Sequence, residues 1–300
     1  MTESAVSTAS PWLLAARPKT LTASVAPVLL GTGLAVSFSN GPVPLTLAAL
    51  ALASALCIQV GTNLVNDASD FEKGADTAER LGPIRVTQSG LLRGHHVMLG
   101  AGLFFLLAAL LGVPLILAGG VPILVIGVLS LIAGYAYTAG PFPLAYLGLG
   151  EVFVLLFFGV AAIKGMAYVL TGHGLSPWAE IAALQVGLQS SALLAVNNFR
   201  DIVGDRTAGK RTLAARFGER FARVEIAVLV AVPYVLGVAW VAAGRPWAAI
   251  LPLMTLPLAI GLVRDVWNEP PSRRFNVFLA QTSLLQLLFC ALAAAGLVIG

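Results

Sequence analysis

Hydrophobic positions in this chain come as unbroken runs rather than stripes, and polar positions are gathered into short segments between them. A stretch that is apolar all round belongs in a large core or in lipid, and about 20 such residues in helical form cross the hydrocarbon of a bilayer. On that scale the pattern predicts nine membrane-spanning helices, near 20–38, 44–66, 96–116, 120–138, 147–170, 178–199, 222–243, 247–263 and 276–299. The expected fold class is therefore an all-α integral membrane protein, a single transmembrane domain over 1–300.

Composition agrees. The 300 residues are 58% hydrophobic and 11% charged, with mean hydropathy +0.90, whereas soluble domains carry about 25% charged residues. A pI of 9.3 would suit a nucleic-acid partner only if a basic domain stood clear of the bilayer, and none does; the basic residues serve membrane orientation instead. With the N-terminus inside, all of the 18 Lys and Arg except Lys164 and Arg245 fall on inner segments or, for Arg223, just inside the following helix. By the positive-inside rule the N-terminus is cytoplasmic and the C-terminus external, and the expected location is the cytoplasmic membrane. No charged segment followed by a short apolar one and a cleavage site opens the chain, so no cleaved signal peptide is expected. Cys57 and Cys290 sit in apolar runs and read as small core residues.

Two polar clusters break this pattern on the same, cytoplasmic side. "NLVNDASDFEKGAD" (63–76) ends the second apolar run, and "NNFRDIVGDRTAGK" (197–210) ends the sixth. Matched clusters four helices apart suggest two weakly repeated bundles, about 20–138 and 147–263, followed by a last helix at 276–299. A carboxylate beside hydrocarbon is costly unless paired, wetted or metal-bound. On a helix Asn63, Asn66, Asp67 and Asp70 share one face, as do Asn197, Asp201 and Asp205. Oxygen-only donors of this kind suit Mg²⁺, which binds through one or two carboxylates plus substrate phosphates. Arg85, Arg200, Arg206, Lys210 and Arg211 offer donors for phosphate oxygens. Together they describe a metal–diphosphate cradle, the bland alternative being solvated helix ends with incidental loop charges. Glu72, Glu79 and Arg80 read as solvated loop charges. His95 and His96 stand at a helix entrance and His173 on the external side, away from both clusters. Lys164, inside an apolar run, is a functional candidate, unless it pairs with Glu151 or stretches toward an interface.

The chain resembles the UbiA-type intramembrane aromatic prenyltransferases in "RPKTLTASVAPVLLGTGLA" (17–35), "NLVNDASDFEKGADTAERLGPIRVTQSG" (63–90), "YTAGPFPLAYLGLGEVFVLLFFG" (137–159) and "NNFRDIVGDRTAGKRTLAARFG" (197–218). The resemblance implies nine transmembrane helices around a central cavity, open sideways to lipid and capped by cytoplasmic loops. It also implies that Asp67, Asp70, Asp201 and Asp205, with Asn66 and either Asn197 or Asp76, hold Mg²⁺ on a polyprenyl diphosphate, Mn²⁺ being a substitute. Arg85 and Lys210 fall where the family places basic residues near the diphosphate; Asn63, Asn197, Arg200 and Arg206 belong to the expected binding set. The family's first motif ends in Asp where this chain has Gly74, with Asp76 two residues later. That form, with "GPIRVTQSG" and "YTAGP", is similar to the branch whose acceptor is 1,4-dihydroxy-2-naphthoate. Another acceptor, such as 4-hydroxybenzoate or haem, stays open, as does a cation-coupled transporter.

Overall fold

The structure is a computed structural model and describes residues 10–39, 41–74 and 80–300. All regular secondary structure among the described residues is helical. A short helix α1 (Pro11–Ala16) leads through a 3₁₀ turn into α2 (Thr22–Phe38), followed by α3 (Leu45–Glu72) and α4 (Gly94–Ala136). Then come α5 (Gly150–Thr171), α6 (Trp178–Arg200), α7 (Glu219–Ala242), α8 (Pro246–Asn268) and α9 (Phe275–Ile299). Seven of these are long and apolar enough to cross a membrane, or eight if α2 and the bent segment before it, at 45°, count as one span.

That count falls short of the predicted nine mainly because 96–116 and 120–138 form one element. As a straight rod the 43 residues of α4 would reach about 65 Å, twice the hydrocarbon thickness. It is not straight: Gly120 sits at φ 64°, ψ −150°, a conformation open only to glycine. Residues on either side of that break then face each other, since a Cβ on Gly134 would lie 3.5 Å from the Phe105 ring and 2.6 Å from Thr62 Oγ1 of α3. Both halves of α4 thus return to the same stretch of α3, where the Ser54 hydroxyl also donates to the Ala108 carbonyl (2.9 Å).

α6 is the most enclosed of the spans. Small residues let it approach its neighbours: a Cβ on Gly159 of α5 would fall 2.4 Å from the Ala183 carbonyl and 2.9 Å from Gly187 Cα, the close backbone contact that membrane helices use in place of a hydrophobic drive. Two of its polar side chains, Gln185 and Ser190, are matched inside the bundle. Gln185 accepts the Trp240 indole N–H (2.9 Å) and donates to the Pro233 carbonyl (2.8 Å), while Gln286 of α9 donates to Ser190 (2.6 Å). Cys57 and Cys290 are both buried and unbridged, as expected.

Candidate functional site

α3 runs six residues past its predicted end, so the first acidic motif is helical as far as Glu72. Asn63, Asn66, Asp67 and Asp70 occupy an arc of about 100°, and the structure divides it. Asn66 and Asp70 open onto a cavity of about 950 Å³. Asp70 is 2% exposed; its Oδ2 lies 3.2 Å from Arg85 Nη2, and its Oδ1 lies 3.1 Å from both Lys210 Nζ and the Tyr146 hydroxyl. One carboxylate therefore gathers donors from three separate loops. Lys73 and Lys210 each stand 4.9 Å from the centre of the Tyr146 ring. Lys73 also donates to the Thr138 carbonyl, and burial lowers its pKa against the opposing charge of Asp70. The Thr138 hydroxyl donates to Asn66 Oδ1 (2.6 Å).

Asp67, at the edge of the arc, departs from the expectation of a metal ligand. It is 1% exposed and is not part of the cavity wall. Its two oxygens accept the backbone N–H groups of Val86 (3.2 Å) and Thr87 (2.9 Å), so it ties down the loop that carries Arg85. Asn63 does line the cavity, but its amide N–H groups are committed to structure, donating to the Ala16 carbonyl (2.9 Å) and Thr20 Oγ1 (3.3 Å). Asp76 and Glu79 lie outside the described residues.

In the second motif the predicted common face is broken. α6 stops at Arg200, and Asp201 turns the chain (φ −93°, ψ 11°) into a short helix, Ile202–Thr207. Arg200, 1% exposed, grips Asp201 through two nitrogens (2.8 and 2.6 Å), with Nη2 also reaching Asn197 Oδ1 (2.8 Å) and Nη1 reaching Asn276 Oδ1 (2.8 Å). The donors expected for diphosphate are already spent here, and so is the Asn197 oxygen. Arg206 turns away to the Ala215 carbonyl (2.9 Å) and does not line the cavity. Asp205 does line it, with the Thr212 hydroxyl at 3.4 Å as its one side-chain hydrogen-bond partner among the described residues. Burial pushes its carboxyl up to about 7, against the pull of Lys210. Arg80 is no loose loop charge: it lines the cavity with Nη2 3.9 Å from Asp201 Oδ2.

Among the described residues no three acidic, His or Cys side chains come close enough to hold a metal ion by themselves. The donor set nevertheless fits Mg²⁺, which needs few protein carboxylates when substrate phosphates complete its shell. Asp70, Asp205 and the Asn66 oxygen share one cavity with Arg85 and Lys210. Behind this charged mouth the wall becomes apolar, with Val28, Ile123 and the stacked pair Phe153 and Phe157 (5.9 Å between ring centres). Lys164 takes no part: it pairs with Glu180 at 2.9 Å, both side chains being nearly half exposed (45% and 41%), and it does not meet Glu151.

The profile of the UbiA prenyltransferase family matches residues 24–298. The chain belongs to this family. Among curated UbiA relatives, the 1,4-dihydroxy-2-naphthoate octaprenyltransferase of Escherichia coli is 39% identical over 229 residues, covering 74% of this chain and 73% of that one. The protein of the same name from Haemophilus influenzae is 33% identical and covers 96% of both. A solved UbiA homolog from Archaeoglobus fulgidus bound to DMAPP and Mg2+ shares the fold, with a TM-score of 0.64 at 17% identity, over 97% of this chain and all of that one. For this UbiA chain, periodicity alone did not reveal Tyr146, Thr138 or Lys73. Their signal is that Lys73 lies in the quoted stretch 63–90 and Thr138 and Tyr146 in 137–159, in the loops that follow α3 and α4.

Proposed function

We propose that this chain transfers a polyprenyl group from polyprenyl diphosphate to 1,4-dihydroxy-2-naphthoate, releasing diphosphate and CO₂ and giving demethylmenaquinol. The observation that carries this reading is the Asp70 carboxylate shared by Arg85, Lys210 and Tyr146 at the mouth of a large apolar cavity. A lipid-tailed diphosphate has that same division, needing ions at one end and hydrocarbon at the other. The curated relatives named above supply the acceptor.

Asp70 and Asp205, with the Asn66 oxygen, are the residues that would hold Mg²⁺, Mn²⁺ serving in its place. When bound, the metal supplies positive charge beside the leaving diphosphate. Arg85 and Lys210, resting on Asp70 without substrate, become donors to phosphate oxygens once that carboxylate is otherwise engaged, and there they stabilise charge that builds as the allylic C–O bond breaks. Lys73 and Arg80 widen the cationic rim. The apolar walls keep water from the allylic cation, which the electron-rich naphthoate ring attacks. Attack at the carbon bearing the carboxylate leaves loss of that group as the route back to aromaticity, so no base is needed at a ring C–H.

The same reading has the chain cross the membrane nine times, with α4 as two spans, and places the motifs and their capping loops on the cytoplasmic side. The N-terminus is then cytoplasmic and the C-terminus external. Two related bundles, about 20–138 and 147–263, enclose the cavity. The test is an assay of purified protein with polyprenyl diphosphate and carboxyl-labelled 1,4-dihydroxy-2-naphthoate. One labelled CO₂ and one diphosphate should appear per transfer. Label retained in the product, or preference for 4-hydroxybenzoate, would overturn the acceptor.

A further inference from the structure

One carboxylate in the cavity wall is not used by the metal–diphosphate machinery. Glu151, at the start of α5, is buried and lines the cavity on the side of α6. Asn198 donates to its Oε1 (2.8 Å), and the Ser191 hydroxyl donates to its carbonyl (3.1 Å). Among the described residues no Lys or Arg forms an ion pair with it. Titratable groups that feel its charge include the Tyr137 hydroxyl and the Glu225 carboxyl on α7. A buried acid met by one side-chain amide and a backbone N–H, with no cation, is costly to keep, and a packing role would be served better by an apolar side chain. Two neighbouring features point to a flat ligand. Phe153 and Phe157, two and six residues further along α5, stack with planes 12° apart in the cavity wall. α5 also passes through a π-helical segment, Leu155–Ala161, a geometry that recurs at functional sites.

We propose that Glu151 is the proton shuttle of the aromatic acceptor, which lies against Phe153 and Phe157; this rests on the reading above and adds a residue to it. As the ring carbon bearing the carboxylate bonds to the prenyl carbon, the C–O bond to diphosphate breaks and its electron pair leaves with the diphosphate. The proton of the adjacent ring hydroxyl passes to Glu151, leaving a ketone beside the carboxylate. The bond to the carboxylate then breaks, CO₂ departs, and the electron pair moves onto the ketone oxygen, which takes the proton back from Glu151. Atoms and charge balance with no further reactant. Asn198 is a positioning residue that keeps the carboxylate aimed into the cavity.

The test uses the full chain in detergent or nanodiscs with Mg²⁺. Glu151→Gln preserves the oxygen that Asn198 meets, and kcat should fall by about 10²–10³-fold, the range for a positioned base, while KM for the prenyl diphosphate stays within about twofold. The deficit should shrink by about tenfold per pH unit above 7, because ionisation of the acceptor's own hydroxyl replaces the missing base. Glu151→Asp should recover at least part of the rate. A loss of less than about threefold, or one that is equal at every pH, would overturn the proposal. If Glu151→Gln does not fold, the wild-type protein decides: the acceptor methylated on the hydroxyl next to the carboxylate should compete but release no CO₂, and its turnover would refute a shuttle. Should wild-type protein ignore naphthoate and prenylate 4-hydroxybenzoate, the naphthoate reading alone falls. The same pH comparison on that phenol then upholds or overturns the role of Glu151.

Discussion

Asp67 and Asp70 are three residues apart in one motif, yet their surroundings assign them different work, and replacing each by Asn separates the two. Asp67 holds two buried backbone N–H groups, each hydrogen bond to a charged group contributing about 1.5–3 kcal/mol. Asparagine keeps one acceptor oxygen and turns an NH₂ toward the second donor, which is left unpaired at about 1–3 kcal/mol. The cost to the Arg85 loop is then about 3–4 kcal/mol, or two to three powers of ten in kcat/KM for the diphosphate substrate at about 1.4 kcal/mol each. Asp70→Asn instead removes the charge that faces Arg85 and Lys210 and would face the metal. Titrating activity with Mg²⁺ tells them apart. Half-saturation should rise at least about tenfold for Asp70→Asn and stay within about twofold for Asp67→Asn, whose loss extra metal cannot rescue. Equal shifts in the two variants, or an unimpaired Asp67→Asn, would refute the division.

Other consequences are simpler to check. EDTA should abolish turnover and Mg²⁺ or Mn²⁺ restore it, full activity after rigorous chelation being the contrary result. Asp205→Ala should cost at least about 10²-fold in rate, whereas Glu72→Ala, on an exposed position, should be mild. Arg200→Ala leaves the partly enclosed Asp201 (side chain 14% exposed) without its main partner, at a cost below that of a fully buried pair, about 3–5 kcal/mol; a lowered melting temperature, and not merely a changed KM, is the expected signature. A reporter fused after Ile299 should be active only outside the cell and one in the 200–221 loop only inside, and the reverse would overturn the charge-based orientation.

The apolar runs made most spans readable, since a segment that must satisfy every backbone group in lipid has little choice but a helix. What could not be read was where lipid stops mattering. α3 continues through Asp67 and Asp70 because their charges find partners, and no hydropathy scale sees partners. Helical spacing also puts Asp67 and Asp70 on nearly one face, so only the returning loop, bringing N–H groups to one and cations to the other, distinguishes them. Arg200 looked available for phosphate because residues i and i+1 diverge on a helix; the break at Asp201 lets the two fold onto each other. Lys164 was legible only as a set of alternatives, and Glu180, on the next helix, decides among them.

Asn276 stands at the start of α9, the last helix of the chain. Its amide accepts from Arg200 Nη1 and donates to the Leu81 carbonyl (2.9 Å), bridging the loop after the first acidic motif to the second. A membrane protein made from its N-terminus inserts both motifs, and every residue assigned to metal and diphosphate, before this helix is synthesised. A nascent chain halted ahead of Phe275 would therefore carry the full set of reactive side chains without the Asn276 bridge, leaving Asp70–Lys210 and Arg80–Asp201 as the ties between the two motifs. Ribosomal progress to α9 thus sets when this last fastening between the two halves of the site is made, and a prematurely terminated product should be a substrate for quality-control proteolysis rather than a full enzyme.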